Sequence, residues 1–364
     1  MTATVFPHAT TNGAWWRSTV AGLLVLCALL LVLFGMTAVA AAIGAAGIPL
    51  HRLPAALGLT AGDGDAATLA RDQLVLWSVR LPRVALAILV GALLSGSGAI
   101  MQGLFRNPLA DPALVGVSSG GALAATVTIV IGDRLLAASQ SPLSFGLLPV
   151  AAFIGALVVT SVLYRIATRA NRTSIAIFLL GGLAIAALAN AGIGLLVFMA
   201  DDRQLRDITF WLLGSLGGAT WTKAAIVTPF ALTLLLAVPF IAHGLDLLAL
   251  GEAEAFHMGI SVERLKRLSI VMVSAATGAA VAFAGVIGFV GIVVPHLLRL
   301  VIGPSHRTLL PTSLVLGAIL LLAADTCART VAAPAEVPIG ILTALVGAPF
   351  FLVVLLRQRA LVGL

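Results

Sequence analysis

Apolar residues in this chain come in long blocks separated by short polar stretches rather than scattered singly along it. A helix needs about 20 apolar residues to cross the hydrocarbon core of a bilayer. Blocks of that kind run over residues 19–42, 84–104, 113–131, 144–167, 174–198, 223–242, 268–286, 287–300, 309–327 and 339–356. The pattern predicts an all-α, polytopic membrane protein of about ten transmembrane helices, with residues 1–364 forming one membrane domain. The first block follows Arg17 and carries no charge, and Ala38-Val39-Ala40 resembles a signal-peptide cleavage site. A secretory apolar core is only about 7–15 residues long, so a retained first helix is expected. The eighth block is short, and its boundary with the seventh falls among Gly285 and Gly288. Glycine-broken spans are tolerated where the chain is packed in protein or lines a cavity.

Composition narrows the class. Of the 364 residues, 60% are hydrophobic and 10% charged, against roughly 45–50% and 25% in a soluble domain. Too few polar side chains remain to cover a water-soluble surface, which excludes a soluble enzyme, a disordered protein and a DNA-binding domain. The 21 Lys+Arg and 14 Asp+Glu leave a net charge of +7. They are scattered singly rather than laid along one face, so no nucleic-acid partner is expected. Cys27 and Cys327 each lie in an apolar run without ligand spacing, which reads as core packing rather than a disulfide or metal site. The 37 glycines suit helices whose backbones approach closely in lipid. With the amino terminus inside, twelve Lys+Arg fall in inner loops and nine in outer ones. Four of the nine belong to the long first loop, where the positive-inside rule has least force. Both termini are therefore expected in the cytoplasm.

Two stretches outside the blocks stand out. The outer segment 43–83 is broken by Pro49, Pro54 and residues 62–65 before a possible short helix at 66–79. The inner segment 243–267 reads as two short amphipathic helices joined by Met258-Gly259-Ile260-Ser261, with Ser261 as N-cap accepting from the Arg264 amide. A compact helical pair suits a docking surface; a solvated connector is the plainer alternative.

An energy source has to lie elsewhere. Lys223 and Lys266 are the two lysines, and neither follows a glycine, so no GxxxxGK[ST] phosphate loop exists. Ionisable residues within the spans are scarce: Asp325, Asp111 and His296 read as interface or capping groups rather than an ion relay. That weakens the different-class alternative, a secondary transporter working without ATP. His257, Met258, His296, Met101 and Met199 share no helical spacing that would make an axial heme ligand.

From residue 80 onward the motifs become specific. Arg80-Leu-Pro-Arg83, Gly91-Ala-Leu-Leu-Ser95-Gly-Ser-Gly98, Gln102-Gly-Leu-Phe-Arg-Asn107-Pro-Leu-Ala-Asp111-Pro and Gly116-Val-Ser-Ser-Gly120 follow in one continuous signature. Gly251-Glu-Ala-Glu-Ala-Phe-His257-Met-Gly259, Gly285-Val-Ile-Gly288-Phe-Val-Gly291-Ile-Val-Val-Pro295-His296, Glu336-Val-Pro-Ile-Gly340 and Gly347-Ala-Pro-Phe350 agree with it. Over about residues 20–357 the chain resembles the FecCD family of ABC importer permeases, ten-helix type II transporters of iron–siderophores, heme and cobalamin.

The resemblance implies a homodimer whose interface lines the path, two copies of a cytoplasmic ABC ATPase subunit carrying ATP and Mg, a periplasmic binding protein, and the bacterial inner membrane. No permanently bound cofactor and no metal are implied, and the chain itself is not an enzyme. Carried onto this sequence, the docking arginines are Arg80, Arg83 and Arg329, which suit carboxylate partners; snorkelling to lipid phosphates is the alternative. The cytoplasmic gate falls on Asn107, Leu109, Thr173 and Ser174, although turn chemistry explains Asn107-Pro108 and Asp111-Pro112 nearly as well. ATPase coupling falls on Gly251, Glu252, Glu254, His257, Met258, Gly259 and Ser261. The stretch Arg203-Gln-Leu-Arg206-Asp207-Ile-Thr-Phe210-Trp211, followed by Gly214-Ser215-Leu-Gly217-Gly218-Ala-Thr-Trp221, is most similar to the heme-importing branch. Arg203 and Arg206 are possible cargo or docking contacts, with ferric siderophore and cobalamin as alternative cargoes.

Overall fold

Long helices dominate because unbroken apolar blocks leave the backbone no hydrogen-bond partner in lipid except itself. The computed structural model describes residues 12–44, 48–60, 65–132, 144–170, 172–333 and 335–362. Its helices in chain order are α1 (Asn12–Ala42), α2 (Leu53–Ala56), α3 (Ala66–Phe105), α4 (Val117–Gly132), α5 (Ser144–Ala167), α6 (Ile175–Met199) and α7 (Asp202–Leu213). They continue as α8 (Trp221–Leu248), α9 (Glu252–His257), α10 (Val262–Ala284), α11 (Val290–Ile302), α12 (His306–Thr330) and α13 (Ile339–Val362). Between α5 and α6 lies a two-residue hairpin, β1 (Thr168–Arg169) paired antiparallel with β2 (Arg172–Thr173). Among the described residues, seven helices are long and apolar enough to span a bilayer, and three shorter apolar ones, in α4, α11 and α13, bring the number to the expected ten.

Two expectations are corrected. The outer segment does not end in a separate short helix: residues 66–105 form one helix, α3, which passes through a π-turn at Leu76–Arg80 without breaking. Its charges are accommodated, since buried Asp72 meets Arg52 at 3.4 Å. Residues 62–64 of the break expected before it lie outside the described residues. The inner segment is not two free helices either: only α9 is separate, and the second expected helix is the first turns of the long α10.

Helix α3 is the axis of the bundle, 78% buried over its most apolar window against 6% for α1. Small residues make that depth accessible. A Cβ at Gly91 would strike the Gly317 carbonyl of α12, and one at Gly98 would strike the Gly291 backbone of α11. The Ser95 hydroxyl donates to the Ser313 carbonyl at 2.8 Å between the same two helices as the first pair. Close backbone contact of this kind replaces the hydrophobic drive that lipid does not supply.

Candidate functional site

At one end of the bundle five charged side chains converge: Arg80, Arg83, Asp325, Arg329 and Glu336. Arg83, near the expected outer end of α3, presents its guanidinium to Glu336 as a fork, with Nη1–Oε1 at 2.7 Å and Nη2–Oε2 at 2.9 Å. Its Nε donates to Asp325 at 2.9 Å, and Arg329 Nε lies 3.1 Å from the other Asp325 oxygen. Arg329 also donates to the Ala40 and Ile43 carbonyls at 3.3 Å, while Arg80 donates to the carbonyls of Ala41 and Ala42. The carbonyls at the end of α1, left without intrahelical amide partners by the helix geometry, are thus met by two guanidinium groups. The structure brings together Arg80, Arg83 and Arg329, the residues expected to dock a binding protein, but turns them inward: they are 3%, 7% and 9% exposed. The exposed charge of this cluster is the Glu336 carboxylate, which Arg83 holds below the usual glutamate range by hydrogen bonding.

Beside this cluster α7 carries Arg203 and Arg206 on its exposed face. Its start is a reciprocal cap: Asp201 Oδ1 accepts from the Gln204 amide at 2.8 Å, and Gln204 Oε1 accepts from the Asp201 amide at 3.2 Å. Arg203, Asp207 and Lys223 line a cavity of about 540 Å³ with the rings of Phe210, Trp211 and Phe283. Arg206 does not line it. A second cavity, of about 580 Å³ and apolar, lies between the end of α7, residues 286–289 and α13. Phe289 lines it with φ +68°, a left-handed conformation strained for an aromatic residue, at the point where α11 starts partway into the bundle.

At the opposite end α3 stops at Arg106, whose φ is +50°. Asn107 Oδ1 accepts from the Leu109 amide at 2.9 Å, so its polar group closes its own turn. Asp111 Oδ1 accepts from the Ala113 amide at 2.7 Å with Pro112 behind it, the cap and proline start expected, and burial pushes its carboxyl upward in pKa. Thr173 is buried and tied to α10, its hydroxyl 3.0 Å from Glu263 Oε2. Ser174 caps α6, accepting from the Ile177 amide at 3.4 Å. Asn107 and Leu109 thus belong to one turn, and Thr173 and Ser174 to the hairpin that opens α6.

The residues expected to couple to an ATPase, Gly251 to Gly259, form α9 and its flanking turns. Glu254, His257 and Met258 are exposed, whereas Glu252 is engaged with Lys266 at 2.9 Å. Ser261 precedes α10 but makes no side-chain cap bond, contrary to expectation. Sequence reasoning missed Phe256 and Leu250, 69% and 65% exposed apolar groups on this segment. An apolar side chain beside Glu254 and His257 in a stretch outside the spans was the available signal. It also missed the pair of Asp246 and His306 (2.8 Å) joining α8 to α12. Among the described residues, no three His, Cys, Asp or Glu side chains converge as for a metal ion.

The FecCD transport family profile matches residues 29–357. The chain is 46% identical over 284 residues to the hemin transport system permease protein HmuU of Yersinia pestis, covering 78% of this chain and 83% of that one. It is 44% identical over 287 residues to the cobalamin import system permease protein BtuC of Halobacterium salinarum, covering 79% and 74%. A solved metal-chelate type ABC transporter in an inward-facing conformation superposes with a TM-score of 0.76 at 32% identity, over 91% of this chain and 98% of that chain. The ten apolar helices, the glycine contacts along α3 and these matches have one meaning: the chain belongs to the FecCD transport family, as the permease subunit of an ABC importer whose ATPase is a separate subunit.

Proposed function

We propose that two copies of this chain form the path by which heme crosses the bacterial inner membrane. A periplasmic binding protein delivers the cargo and two copies of a cytoplasmic ATPase subunit drive it. The observation that carries heme is the outer cavity, where Arg203 and Lys223 stand with the rings of Phe210, Trp211 and Phe283. Heme is a flat apolar macrocycle bearing two carboxylates, so a lining of cations and aromatic rings matches both halves of it. Asp207 on the same wall leaves that lining one positive charge in excess. Cobalamin, fringed with neutral amides, offers those cations less, and a ferric siderophore remains the other alternative cargo. The name of the Yersinia relative agrees with heme, while the cobalamin relative at 44% shows that identity alone does not decide.

In this reading the loaded binding protein docks at the end holding Arg80, Arg83, Arg329 and Glu336. With the arginines satisfied internally, Glu336 and the exposed α7 face are what it meets first. ATP-driven closure of the ATPase pair acts on Phe256, Met258, Glu254 and His257 of α9 and its turn, and shifts the gate turns at Asn107–Leu109 and Thr173–Ser174. Both termini lie in the cytoplasm. The test is transfer into proteoliposomes holding this chain with its ATPase partner, with loaded binding protein outside and ATP inside or absent. Heme, a ferric siderophore and cobalamin are offered in parallel. ATP-dependent entry of heme alone is expected; entry of another cargo alone reassigns the substrate, and entry indifferent to ATP overturns the motor.

A further inference from the structure

Lys266 sits in the first turns of α10 and is only 3% exposed, an expensive place for an ammonium group unless its donors are met. It has three N–H donors, and three acceptors surround it: Glu252 Oε2 at 2.9 Å, Glu263 Oε1 at 3.0 Å and the Thr173 carbonyl at 3.4 Å. These belong to three different elements: the first residue of α9, α10 itself, and the last residue of β2. The second Glu263 oxygen accepts from both the Thr173 amide, at 3.2 Å, and its hydroxyl, at 3.0 Å. That hydroxyl also meets Thr168, its register partner across the hairpin, at 3.0 Å. One buried cation therefore joins the exposed helix α9 to the hairpin from which α6 starts.

We propose that Lys266 is a positioning residue that locks α9 to the β1–β2 hairpin, so that a displacement of α9 carries the start of α6 with it. This rests on the reading that the ATPase acts on α9. A surface ion pair would give way under such a load, because it is worth little against solvent. A buried ammonium with every donor engaged resists separation, because any gap leaves charge unpaired in a poor solvent. Phe256 and Met258 stay exposed on the same short segment, so the lock and the partner-facing groups occupy separate side chains of one element.

The experiment uses the complete complex with its ATPase in nanodiscs, with spin labels at the exposed positions Ala253 of α9 and Arg172 of β2. In the otherwise native chain the distance between the labels is expected to be the same before and after ATP trapping. With Lys266→Met it is expected to change on trapping, and cargo moved per ATP hydrolysed is expected to fall about tenfold, the scale of one lost charge-assisted hydrogen bond. Glu263→Gln, which retains shape at a partly exposed position, is the second variant should Lys266→Met fail to assemble. It is expected to uncouple in the same direction, and the double variant no further than Lys266→Met alone. An unchanged label distance and an unchanged transport-to-hydrolysis ratio in whichever variant assembles overturn the lock. Failure of the underlying reading is seen separately: Phe256→Ala with Met258→Ala would then leave ATPase association intact.

Discussion

Asp325 has no exposed surface and serves two guanidinium groups at once, Arg83 and Arg329, in the last turns of α12. Removing its charge leaves two buried cations sharing what remains: Glu336 for Arg83, and main-chain carbonyls for Arg329. Breaking a buried ion pair from one side costs about 3–5 kcal/mol. Because both arginines retain a second partner, Asp325→Asn should lie at the lower end of that range, read as a fall in thermal unfolding temperature in detergent. Glu336 belongs to the same cluster but is 44% exposed, so its effect is best read through pH. Its pKa is lowered by the Arg83 fork. A depressed carboxylate contributes stability above its unfolded value, about 4.3 for glutamate, and loses it as pH falls through the lower folded value. The stability advantage of the native chain over Glu336→Gln should therefore be full at pH 7, start to shrink below about 4.3 and vanish only below the depressed folded value. A constant difference across that range would show that the fork contributes nothing through its charge.

At the scale of the element, packing sorts the glycines. A Cβ at Gly98 would run into the Gly291 backbone, which cannot rotate away, whereas one at Gly35 on α1 would meet nothing within 4 Å. Gly98→Ala should separate α3 from α11 at a cost of about 1–3 kcal/mol for overpacking, with loss of monodispersity on size exclusion, and Gly35→Ala should be silent. The spans themselves were legible because each is an apolar block whose length the bilayer dictates. Helix α3 was legible only as two pieces, a short helix over 66–79 and a span over 84–104, since Arg71, Asp72 and Arg80 set its first half apart from the apolar block. The chain satisfies the two buried ones internally, as Arg52 with Asp72 and Arg80 with the α1 carbonyls show, and composition does not reveal such pairings. Helix α7 was hidden in the same way by Arg203, Arg206 and Asp207, although Asp201 with Gln204 three residues on is a capping-box signature that marks its start. Of the candidate site, the motifs singled out Arg83, Arg329 and the α9 segment, and the structure ties the first two together through Asp325. Which way each side chain turns depends on partners such as Asp325 and Lys266 that lie far away in sequence.

For the whole molecule the open issue is cargo, and the outer cavity makes it a matter of charge. If Arg203 and Lys223 receive the two propionates, each contact is a hydrogen bond to a charged group, worth about 1.5–3 kcal/mol. Arg203→Ala with Lys223→Ala should then slow ATP-driven heme entry by roughly tenfold or more. Hydrolysis by the ATPase should persist, since neither residue lies near α9. Heme dimethyl ester separates recognition from damage, because it keeps the macrocycle and removes both carboxylates. A binding protein that itself distinguishes ester from acid would change the absolute rates, so the informative quantity is the ratio of variant to native rate for each cargo, with the same loaded binding protein throughout. That ratio should drop for heme and stay near one for the ester. An equal drop for both would mean that the two cations shape the cavity without reading its cargo. The exposed α7 face would then belong to binding-protein docking, and the substrate would have to be chosen upstream of this chain.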